Sequence, residues 1–127
     1  MRSILISAAL LLCVQTATAA EQGAAPYNGT SLRWRPAVCS WYGWEHAGKR
    51  TASGEKFDPM KLTCASWHHP FGTRIAVRMG SKSVVVTVND RGPAKRLKRD
   101  LDLSLAAFSK ICHPDAGVIH AEMMVLK

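Results

Sequence analysis

The chain has 127 residues, 47% of them hydrophobic and 20% charged, and a formal net charge of +8. That length is enough for one domain with a single modest core and excludes a second one. The positive balance points to an anionic partner, unless the chain is simply basic with no particular electrostatic target.

Residues 1–20, MRSILISAALLLCVQTATAA, open with Arg2, run through an apolar stretch from Ile4 to Val14 and close on the small residues Ala17, Thr18 and Ala19. This is the pattern of a secretory signal, too short and wrongly flanked for a spanning helix, with cleavage expected after Ala19 or Ala20. Leu12 stands where a lipidated Cys13 needs a small residue, so lipid anchoring is not expected and the protein is assigned to the periplasm or the exterior. Only Arg2 of the 17 basic residues leaves with the leader, so about 107 residues remain with a net charge of +7. No other apolar run is long enough to span a bilayer, and a soluble monomer with no stable membrane insertion is expected. For an exported protein, wall polymer, membrane surface or acidic glycan precede nucleic acid as partners. The densest basic cluster, Lys95, Arg96, Lys98 and Arg99, has no interleaved aromatics and reads as a solvated loop, so nucleic-acid binding is not expected.

Residues 21–36, EQGAAPYNGTSLRWRP, are small, polar and proline-flanked, which predicts a flexible lead-in, with the folded domain spanning 37–127. Short strand-like runs then follow: AVCSWY at 37–42, LTCAS at 62–66, RIAVRM at 74–79, SVVVTVN at 83–89 and AEMMVLK at 121–127, separated by glycine- and proline-bearing turns. Such runs in under about a hundred residues argue for a small all-β barrel. One helix is predicted over LSLAAFSKI at 103–111, where Leu103, Ala106, Ala107 and Ile111 recur at helical spacing. An Asp or Ser cap near Asp102 would start it and Pro114 would stop it.

Three cysteines remain after the leader: Cys39, Cys64 and Cys112. In an oxidising compartment one bridge plus one free thiol is expected, with all three pairings open. Their separations of 25 and 48 residues match no common metal spacing, so neither a metal site nor a cofactor is expected.

The chemistry-bearing stretches are SWYG at 40–43, RTASGEKFD at 50–58, LTCASWHHPFGT at 62–73, and VVVTVNDRGP at 84–93 followed by DLDLS at 100–104. The β-branched run ending in Asn89, Asp90, Arg91, Gly92 and Pro93 presents an acid at a barrel rim, where partial desolvation and a neighbour such as Arg91 would tune it. The plainer reading is that Asp90 accepts backbone hydrogen bonds and holds the turn. Glu55 sits on a connection behind Thr51 and Ser53, either as an acid for glycoside chemistry or as a surface charge. Tyr42, Trp44 and Trp67, with Trp41, offer flat rings that suit the apolar faces of sugars. Alternation assigns Trp41 or Tyr42 to the core and leaves Trp44 and Trp67 as the exposed ones. His46 and His120 read as ordinary loop and strand-edge residues.

Taken in this order and spacing, these motifs resemble the double-psi β-barrel domain of the rare lipoprotein A family, bacterial envelope proteins that include lytic transglycosylases of peptidoglycan. The resemblance covers residues 38–126. It implies a six-stranded double-psi β-barrel with one or two short helices, peptide-free peptidoglycan glycan strands as partner, and Asp90 and Glu55 as catalytic acid/base; the flat rings of Tyr42, Trp44 and Trp67, with Arg91, are the residues expected to contact that sugar. Active members commonly read like LTAAHRTLPFGT in the third stretch. Laid without a gap on LTCASWHHPFGT, that pattern puts Ser66 at the position of a histidine thought to act beside the two carboxylates. By strand alternation His68 faces the same way as Ser66, roughly 6 to 7 Å further along, and is a possible substitute, whereas His69 faces away. Serine cannot transfer a proton as imidazole does near neutral pH. The alternative to an enzyme is therefore a non-catalytic glycan-binding barrel resembling expansins, with a secreted effector or inhibitor as a third reading.

Overall fold

A computed structural model describes residues 32–126. The leader at 1–20 and all of the lead-in as far as residue 31 lie outside the described residues. Six strands, β1 (Arg35–Tyr42), β2 (Thr63–Ala65), β3 (Arg74–Met79), β4 (Lys82–Asp90), β5 (Leu101–Ser104) and β6 (Ile119–Val125), close into a barrel in the order β1-β5-β2-β4-β3-β6. The pairs β1·β5 and β2·β4 are parallel and the other four antiparallel. This is a double-psi β-barrel with one short helix, α1 (Leu105–Ile111).

Period-two patterning explains most of it. In β4, Val84, Val86 and Val88 are buried while Val85 is exposed; in β6, Ile119, Ala121, Met123 and Val125 are buried while His120 and Glu122 face water. β3 and β4 form a hairpin across Gly80 and Ser81, with Met79 opposite Lys82, and the tight turn uses Gly80 at φ +60°. β1 starts at Arg35, two residues ahead of the expected domain start, because Arg35 and Pro36 pair with Met123 and Glu122.

The stretch 101–111 divides differently from the expected single helix. Leu101 and Leu103 point into the core from β5, and the helix begins only after Ser104, whose Oγ accepts from the Ala107 amide at 3.2 Å and donates to the Lys61 carbonyl. A strand of four residues abutting a helix leaves its two leucines compatible with either period. α1 packs on β4, β1 and β5 and drives Phe108 into the core beside Leu101, Leu103, Val86 and Val88. It ends at Ile111, two residues before His113 opens a 3-10 turn over Pro114–Ala116.

The expected disulfide is absent: Cys39, Cys64 and Cys112 are all free thiols. β5 lies between the strands of Cys39 and Cys64, with Leu101 paired to Cys39 and Leu103 to Cys64. Two strand spacings and a two-residue offset along β5 lie between them, which puts their Cα atoms beyond disulfide reach. Cys112 is at the C-cap of α1, half-buried. Burial pushes the Cys39 thiol up to about 12 and Cys64 higher still, so both behave as small apolar core groups.

Candidate active site

The rim is built where β4 runs out. The loop at 51–55 is tied to its end by the Ser53 amide donating to the Asn89 carbonyl at 3.3 Å and by the Asn89 side-chain amide donating to Glu55 Oε2 at 3.3 Å. Asp90 is clamped. Its Oδ1 accepts from the backbone amides of Ala52 and Arg91, each at 2.9 Å, and its Oδ2 from the Tyr42 hydroxyl at 3.4 Å. Tyr42 lies flat on Phe57, with ring centroids 4.3 Å apart. Burial, then the nearby charges of Asp90 and Asp102, raise the phenol far above its ordinary value, which keeps it a hydrogen-bond donor.

Asp90 faces an open cleft of about 300 Å³, walled by Tyr42, Phe57, Ala65 and Asp102 and edged by His46, Lys49, Arg50 and Thr51. Asp102 is the residue that sequence reasoning missed. In the sequence Asp102 belongs to the DLDLS stretch and reads as one of two candidate helix caps. In the fold it points into the cleft from β5 and accepts from Ser40 Oγ at 3.1 Å. Burial outweighs the Ser40 hydrogen bond and raises its carboxyl from an ordinary 3.8 to about 6. The folded state therefore holds this proton more tightly than the unfolded chain. The stabilisation is complete below pH 3.8 and lost as pH rises through about 6. In melting curves from pH 4 to 8, Asp102→Asn is expected to gain stability relative to wild type as pH rises through that window. A difference profile flat with pH would refute the assignment.

Of the other sequence candidates, Tyr42 and Arg91 line this cleft, whereas Glu55, Trp44, Trp67, Ser66 and His68 do not. Glu55 is solvent-exposed beyond Asn89 and does not line the cleft walls. Trp44 and Trp67 are 63% and 42% exposed, whereas Trp41 packs against Phe108 and donates from Nε1 to the Pro114 carbonyl at 2.8 Å. Trp67 donates its indole N–H to the Pro93 carbonyl, and the Lys95 ammonium sits 4.8 Å over its ring. Arg91 forms part of the wall, but its guanidinium turns to the carbonyls of Ser66 and His69, 2.9 Å each, and lies 3.9 Å over the Phe71 ring. It therefore braces the segment behind the site. His46, read from the sequence as an ordinary loop residue, stands at the cleft edge against Tyr42. His120 is exposed on β6, opposite Val38.

Strand alternation does not extend through residues 66–69, because β2 ends at Ala65 and the chain bends. Ser66 is fully buried, its Oγ 3.1 Å from His69 Nδ1 and accepting from the His68 amide at 3.2 Å. His69 is buried and His68 exposed outside the cleft, the reverse of a groove-lining His68. Burial, followed by the charge of Arg35, lowers the His69 imidazole to about 4, so it is neutral at physiological pH. Among the described residues no cluster of His, Cys, Asp and Glu is placed to hold a metal ion.

Similar proteins bear on this cleft. The chain is 43% identical over 91 residues to a probable endolytic peptidoglycan transglycosylase RlpA of Synechocystis, covering 70% of this chain and 28% of that protein. It is 42% identical over 90 residues to one of Aquifex aeolicus, covering 69% and 39%, and 34% identical over 100 residues to the endolytic peptidoglycan transglycosylase RlpA of Pseudomonas aeruginosa, covering 77% and 29%. The chain thus spans between about a quarter and two fifths of the length of these relatives. Among solved structures, a Streptomyces papain inhibitor superposes with a TM-score of 0.62 at 23% identity, over 75% of this chain and 96% of that one. An expansin of Clavibacter michiganensis gives 0.60 at 18% identity, over 75% and 51%. Those two likenesses concern the fold alone. The family model described as lytic transglycolase matches residues 37–123, from β1 into β6 and across every element of the cleft, and it is to this family that the chain belongs.

Proposed function

We propose that this chain is an exported, monomeric barrel that binds peptidoglycan glycan strands and cleaves them internally as a lytic transglycosylase. The observation that carries the reading is Asp90, an acid held by three hydrogen bonds at the wall of a cleft open to a polymer. In the reaction the muramic acid C6 hydroxyl attacks C1, so the C1–O6 bond forms as C1–O4 breaks and no water is consumed. The hydroxyl loses a proton and the departing O4 gains one. Asp90 accepts the first of these, its carboxylate held in place by the Tyr42 hydroxyl and two backbone amides. The similarity of the chain to named transglycosylases supports this reading. Trp44 and Trp67 supply exposed ring faces for the sugars, the buried Tyr42 contributes its hydroxyl rather than its ring, and Lys49 and Arg50 at the cleft edge suit the free lactyl carboxylates of peptide-free strands.

The test is a digest of amidase-treated glycan strands, with products read by mass spectrometry for 1,6-anhydro ends. Glu55, the other catalytic candidate read from the sequence, accepts from the Asn89 side-chain amide and stands outside the cleft. Because it lies outside the cleft walls, Glu55→Gln is expected to cost well under the ~10²-fold that loss of a general acid or base entails. A complete loss of product in Glu55→Gln would return that residue to the centre of the chemistry.

A second reading rests on Ser66, which stands at the family's histidine position yet is buried against His69 and cannot reach a sugar. On that reading the barrel binds glycan without cleaving it, in the manner of expansins. Intact strands that co-sediment with the wild-type protein and yield no anhydro ends would establish it.

A further inference from the structure

Ala65 is in register with two acids at once. On one side it pairs with Asp90 of β4, and on the other with Asp102 of β5. Its methyl group forms part of the cleft floor, and the two carboxylates rise from the strands that flank it. Two strand spacings separate the backbones of the acids by roughly 9 to 10 Å, and both side chains turn into the same space. Two carboxyl groups lining one cleft from neighbouring strands are the kind of pair that acid/base chemistry at a sugar uses.

The two acids are held differently. Asp90 receives three hydrogen-bond donors, two of them backbone amides. Asp102 receives only Ser40 Oγ, on Oδ1, and among the described residues no hydrogen-bond donor reaches its Oδ2. The charged groups around it are Arg99 ahead of its own strand, His46 at the cleft edge and Asp90 across the floor; Tyr42 from β1 and the thiols of Cys39 and Cys64 also sense its charge. Burial dominates that environment and favours the protonated acid.

We propose that Asp102 is a second catalytic carboxylate of this cleft, the acid that protonates the departing O4 while Asp90 takes the proton of the attacking C6 hydroxyl. The assignment rests on the transglycosylase reading above. The balance closes: C1–O6 forms, C1–O4 breaks, one proton leaves O6 for Asp90 and one leaves Asp102 for O4. Asp90 then returns its proton to Asp102 through solvent in the cleft, and both acids are reset without an oxidant, a reductant or a consumed water.

The experiment compares two substrates on the mature protein: peptide-free glycan strands, and a GlcNAc–MurNAc oligosaccharide carrying 4-nitrophenol on its reducing MurNAc, a leaving group that needs no proton. Asp102→Asn is expected to lower strand cleavage by about 10²-fold or more while release of nitrophenol stays within about tenfold of wild type; Asp90→Asn impairs both. The wild-type protein provides a readout independent of any variant. Its strand-cleavage rate should decline as pH rises through about 6, a limb that nitrophenol release lacks. Equal losses on both substrates in folded Asp102→Asn, undiminished strand cleavage in that variant, or the same high-pH limb for both substrates would each overturn the proposal. A wild-type protein that yields no anhydro ends from strands would overturn the transglycosylase reading itself, and this assignment with it.

Discussion

Replacing Asp90 with asparagine is expected to lower the formation of 1,6-anhydro ends from peptide-free strands by about 10²- to 10⁴-fold, the span that a positioned acid/base group contributes. The substitution is nearly isosteric. Asparagine Oδ1 can still accept from the Ala52 and Arg91 amides, and the contact that changes character is the one with Tyr42, whose hydroxyl now faces an amide. The loop at 51–55 therefore stays attached to the end of β4. The variant should melt near the wild type and still co-sediment with strands, which separates loss of chemistry from loss of fold. If Asp90→Asn retained more than about a tenth of wild-type product formation, Asp90 would be a turn-holding residue only.

The second large effect is on stability. Phe108→Ala is expected to destabilise the protein by about 3 to 5 kcal/mol, since Phe108 is wholly buried and its loss combines transfer of an aromatic ring to water with a cavity that a closed barrel cannot collapse. The ring reaches the core from α1 and packs against Trp41 at a centroid distance of 6.4 Å. A small domain has only about 5 to 15 kcal/mol in total, and at about 4 to 8 °C per kcal/mol the midpoint should fall by at least about 12 °C. Phe108→Leu keeps most of the volume and should cost markedly less. Differential scanning calorimetry of the pair provides the check, and a fall of less than about 4 °C for the alanine variant would mean that α1 is not integral to the core.

Both effects depend on features of very different legibility. The valine run of β4 and its abrupt end at Asn89 and Asp90 could be read directly, because a period-two pattern and a turn signal are local properties of the chain. The alternation of β6 was equally plain. β5 was concealed because its four residues adjoin a helix and both periods accommodate Leu103. The His68 argument failed for a related reason: alternation holds only while the strand lasts, and β2 stops at Ala65. Counting cysteines predicted a bridge, yet whether two thiols can meet depends on which strand lies between them.

By itself, the sequence determined the barrel class, the family, the acid at the end of β4 and the run of motifs that surrounds it. These follow from side-chain periodicity and from residue types at fixed spacing, which a linear chain displays. Tertiary structure alone decided that β5 inserts between β1 and β2, that Asp102 thereby faces Asp90 across Ala65, and that Ser66 and His69 are buried behind the cleft. The physical reason is that barrel closure pairs segments far apart in the chain. Asp102 acquires its partners and its raised pKa only when Ser40 and Ala65, some 62 and 37 residues earlier, are brought to its sides and the fold partly buries its carboxyl.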